Sequence, residues 1–72
     1  MTNLELDSLQ PGDVIVYDSR RVGVTLGVYL HSKKKYQEHS GGEHWFLWND
    51  GSNGSVAWMS DLDLLEDDVR LL

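Results

Sequence analysis

The amino-acid sequence predicts a small all-β domain, a barrel or sandwich of about five short strands. Three observations carry that expectation. Val22, Val24, Leu26, Val28 and Leu30 alternate strictly with other residues, which is the period of a strand. Turn residues punctuate the chain at Pro11-Gly12, at Gly41-Gly42 and through "NDGSNGS". No segment holds a helical period over a length typical of globular helices.

The elements follow in chain order. After the turn at Pro11-Gly12, the β-branched and aromatic run Val14 to Tyr17 reads as the first strand, and "DSRR" closes it. Along the second strand, alternate side chains fall on opposite faces, so the five aliphatics are expected to line the core. Gly23 and Gly27, on the other face, suggest a bend where a long strand serves two sheets. Residues 32–43, "SKKKYQEHSGGE", lack periodicity and read as a flexible connection. His44 to Asn49 is the third strand, Asp50 to Ser55 a turn with Gly51 and Gly54 available for positive φ, and Val56 to Met59 the fourth. "SDLD" reads as one helical turn capped by Ser60. Leu64 and Leu65 then begin a short last strand, and Leu4 and Leu6 alternate as an extra terminal strand would. The third strand is apolar on both faces. Phe46, Trp48 and Val56 are assigned to the core, with Trp45, Tyr17 or Tyr29 left partly exposed.

At 72 residues the chain is read as a single domain, with its core over about 9–66 and terminal extensions at 1–8 and 67–72. It contains no cysteine, which excludes disulfides and thiolate metal sites. No apolar run approaches the roughly 18 residues that span a bilayer, and the acidic start lacks the features of a signal peptide. The expectation is a soluble protein of the cytoplasm, or of a particle assembled inside a cell, with no membrane partner. Net charge is −6, yet five of the six bases lie between Arg20 and Lys35, and five acids crowd residues 61–68. An acidic total disfavours sequence-independent binding to phosphate backbones.

"LQPGDVIVYDSRRVGVTLGVYLHS" followed by "FLWNDGSNGSVAWMSDLDLL" resembles the small SH3-like barrel proteins of tailed bacteriophages, marine ones included. The matching positions are Gly12-Asp13, Gly23-Val24 with Gly27-Val28, Trp48-Asn49-Asp50-Gly51, and Leu62, over about residues 9–65. The resemblance implies a five-stranded SH3-like barrel with one short helical turn before the last strand. It also implies a phage accessory or structural protein, without assigning a biochemical role.

The candidate chemistry is sparse. His31 and His44 would face each other across a hairpin mouth, with Glu43 or Glu38 as a third metal ligand, but the spacing matches no zinc signature and no metal or other cofactor is expected. "DLDLLEDD" fails the calcium-loop template, because Glu66 stands where that loop needs glycine. "NDGSNGS" lacks the Lys-Ser/Thr and following helix of a phosphate loop. No enzyme is expected. Two binding readings stay open. Tyr17, Tyr29, Trp45 and Trp58 form a protein-binding groove or aromatic cage, or are buried on self-association as a homodimer. Alternatively, Arg20, Arg21, Lys33, Lys34, Lys35 and Tyr36 grip nucleic acid by phosphate contact and stacking.

Overall fold

The computed structural model describes residues 1–19, 21, 23–34, 42–49 and 54–72. The chain runs α1 (Asn3–Asp7), β1 (Val14–Ser19), β2 (Gly23–Lys34), β3 (Gly42–Trp48), β4 (Ser55–Ser60), α2 (Asp61–Glu66) and β5 (Val69–Leu71). The strands form one antiparallel sheet in the order β4-β3-β2-β1-β5. Among the described residues no pairing joins β4 to β5, so the sheet stays open.

The turn before β1 behaves as Pro11-Gly12 foretells. Gly12 has φ +96°, a conformation that costs other residues a Cβ clash, and its N–H donates to the Tyr29 carbonyl at 2.9 Å. β2 is as extended as its alternation predicts. Its register with β3 shifts between Tyr29 and His31, a bulge that reverses which residues face inward beyond it.

The alternation, however, faces the other way. Ile15, Phe46 and Leu64 are fully buried, and Tyr29, Trp48, Met59 and Val69 complete the core with them. On β2 it is Gly27 and Tyr29 that point inward. Val24 is 65% exposed, Leu26 is exposed and Val28 and Leu30 are half-buried, while Val22 lies outside the described residues. The reason is volume. A Cβ built on Gly27 would stand 2.7 Å from Cζ3 of Trp48, so the indole occupies the space a side chain would take. Ring centroids 5.2 Å apart for Phe46–Trp48 and 5.3 Å for Tyr29–Phe46 show the aromatics filling the interior. Gly27 is therefore a seat for Trp48, and the irregularity in β2 lies beyond it, after Tyr29.

Other expectations divide. Phe46 and Trp48 are core residues as read, whereas Val56 is 55% exposed because it pairs with outward-facing Leu47. Ser60 caps α2 as read, its hydroxyl accepting from Asp63 N–H at 3.1 Å. Leu64 and Leu65 belong to that helix, and the last strand starts later, at Val69. The N-terminal segment is helical. Thr2 and Glu5 form a reciprocal capping box, which outweighs the two-residue spacing of Leu4 and Leu6. β2 and β3 extend to Lys34 and from Gly42; the rest of the expected flexible connection, 35–41, and Gly51 of the expected turn lie outside the described residues.

Candidate protein-docking surface

The sheet register defines two unlike faces. On the inner one, Ile15 opposes Gly27 and Tyr29 opposes Phe46. On the outer one, Val14 opposes Val28, Val28 opposes Leu47, and Leu47 opposes Val56, an aliphatic row across four strands. Val16, itself buried, and Leu26 form a second pair beside it, and His31, Trp45 and Trp58 a third row beyond the bulge. Cross-strand neighbours like these stand close enough to make one continuous surface. Val24, Leu26, Leu47, Val56 and Trp58 are all exposed on it.

The predicted aromatic site does not assemble as one surface. Tyr29 is buried on the inner face. Tyr17 packs against the core, its ring 6.1 Å from that of Trp48 and its hydroxyl donating to Asp67 at 3.2 Å. Partial burial first, then the neighbouring Asp67 carboxylate, raises the Tyr17 phenol above its usual pKa. Trp45 and Trp58 are direct cross-strand partners on the outer face. Trp45 is half-buried by its neighbours: His31 stacks at 6.1 Å, the Lys33 ammonium sits 5.9 Å from its ring, and its indole N–H donates to Glu43 at 3.2 Å. The four aromatics thus divide between the two faces, with Trp45 and Trp58 a pair at one end of the outer one.

His31 and His44 also separate. His31 opposes Trp45, whereas His44 opposes Ser32 and points inward, so they lie on opposite faces. His44 instead joins Tyr29 to Asp61. Its Nδ1 lies 3.3 Å from the Tyr29 hydroxyl and its Nε2 bonds the Asp61 carboxylate, whose other oxygen accepts from Gly42 N–H at 3.1 Å. His44 thus bridges a strand hydroxyl and a helix carboxylate through its two ring nitrogens. A cavity of about 200 Å³ adjoins this chain, with Asp7, Ser32 and Lys33 also on its wall. Ser, His and Asp together suggest nucleophilic catalysis, but both ring nitrogens are engaged and Ser32 has no imidazole nitrogen to take its proton. Among the described residues no cluster of three His or acidic side chains is placed to hold a metal. The arrangement ties the start of β3 to α2.

Comparisons with protein-family models, curated proteins and solved structures gave no match.

The basic residues are dispersed. Arg21 precedes β2, while Lys33 and Lys34 end it. Ten residues of strand between Gly23 and Lys33 rise roughly 33 Å if straight, so one short stretch of nucleic acid would have to follow the strand to meet both groups. Arg20, Lys35 and Tyr36 lie outside the described residues. The outer-face aliphatics were the functional candidates that sequence reasoning missed. Their signal was present in β3, where Trp45 and Leu47 are apolar on the face opposite Phe46 and Trp48. No helix among the described residues is long and apolar enough to cross a membrane.

Proposed function

We propose that this chain is a non-enzymatic protein-interaction module that docks through the outer face of its sheet. The observation that carries this reading is the aliphatic row Val14, Val28, Leu47 and Val56, flanked by exposed Val24, Leu26 and Trp58. Soluble monomers rarely expose contiguous apolar patches beyond a few hundred Å², and larger ones mark interaction sites. The strand order, the long irregular β2 and the short helix before β5 support an SH3-like barrel grammar in the finer fold. The motif resemblance supports an accessory or structural role in a tailed phage, within the host cytoplasm or the particle.

The test is a hydrophobic dye titrated into folded protein at submicromolar concentration. Wild type is expected to enhance dye fluorescence, and a Leu47→Ser, Val56→Ser double variant to lose most of that signal while staying folded. Folded wild type that ignores the dye contradicts the reading. Nucleic-acid binding is the rival outcome: a salt-sensitive oligonucleotide shift abolished by Lys33→Ala would replace docking with it.

A further inference from the structure

We infer that the partner on the outer face is a second copy of this chain, packed sheet against sheet about a two-fold axis. This rests on the docking reading and commits it to one occupant. The inner side of the sheet is already layered: Leu64 of α2 lies in the core, and Leu6 of α1 packs against it. A sheet that is apolar on both faces needs a layer on each, and over Val24, Leu26, Leu47 and Val56 the described residues of the chain leave the outer face exposed.

Charge selects the occupant. The acids Glu5, Asp7, Asp61, Asp63 and Glu66 ride on the two helices, which belong to the inner side. At the described positions of the outer face the charges stand at its margins: Asp18 beside Val24, Arg70 beside Val16, and Lys33 opposite Glu43. A basic partner would be drawn to the helices. The outer face instead suits a near-neutral apolar surface, and a copy of itself presents one without stacking acid on acid, despite a net charge of −6 on each chain.

Sedimentation equilibrium from about 1 to 500 µM tests this, together with methyl NMR spectra in a soluble nitroxide. The expected result is a dimer whose dissociation constant rises about tenfold or more with Leu47→Glu, as for a central interface residue. Val24→Lys, at the most exposed of these positions, should act in the same direction and guards against a Leu47 variant that fails to fold. A wild-type monomer at the highest concentration, with outer-face methyls broadened by nitroxide, overturns the second copy and leaves docking to another protein standing. A dimer indifferent to both substitutions overturns this dimer, and a monomer with those methyls shielded overturns the docking reading too.

Discussion

Gly27 shows how one absent side chain orients a whole strand. The Trp48 ring lies where a Cβ would project, with Cζ3 at 2.7 Å and Cε3 at 2.8 Å. Gly27→Ala must push an indole that Phe46 and Tyr17 already hold, and overpacking of this kind costs about 1–3 kcal/mol. Urea unfolding should register that loss; an unchanged midpoint would mean that the indole shifts freely. His44 is the second residue of this rank. His44→Ala leaves the Tyr29 hydroxyl and the Asp61 carboxylate without their shared partner, a loss of about 1–3 kcal/mol. Tyr29→Phe removes a single hydrogen bond and should cost less in the same measurement. Neither effect could be read in advance, because residues 29, 44 and 61 meet only after two strand pairings and a helix have formed.

At the scale of elements, short helices depend on their caps. In α1 the Thr2 hydroxyl accepts from Glu5 N–H and the Glu5 carboxylate accepts from Thr2 N–H. Hydrogen bonds from Thr2 to that carboxylate, the one from its backbone N–H first, hold the Glu5 pKa below its ordinary value. A depressed carboxylate contributes stability above its unfolded pKa and loses it as pH falls through the folded value. Glu5→Gln should therefore destabilise the protein near neutrality, and the gap from wild type should close as acid protonates Glu5; a gap independent of pH would contradict the assignment. Tyr17 works at the other end of the scale. Its raised pKa favours the neutral phenol in the folded state, so its contribution is intact below about pH 10 and fades as pH rises through the folded value. Tyr17→Phe should flatten that alkaline loss in thermal melts, and an alkaline slope equal to wild type would assign it elsewhere. The capping of α2 was legible because Ser60 precedes a run of good helix positions. The capping of α1 was equally legible in Thr2-x-x-Glu5, but the spacing of Leu4 and Leu6 suits a strand just as well.

For the whole molecule, what the sequence left undetermined was the direction of β2. Its two stripes are Val24-Leu26-Val28 and Thr25-Gly27-Tyr29, and hydrophobicity alone sends the first inward. The choice is made by β3, whose Phe46 and Trp48 need room opposite them, and glycine gives more room than leucine. That is a non-local condition, absent from any window along β2. The first four strands, the turn at Gly12 and the place of Phe46 and Trp48 in the core were readable locally; sidedness and the position of β5 were not. The same reversal creates the proposed docking surface, since the aliphatics displaced from the interior are those now on the outside. Nitroxide broadening of methyl signals, at a concentration where the chain is monomeric, measures that sidedness directly. Val24, Leu26, Leu47 and Val56 should broaden while Ile15 and Leu64 stay sharp; protected Val24 and Leu26 beside a broadened Ile15 would contradict it.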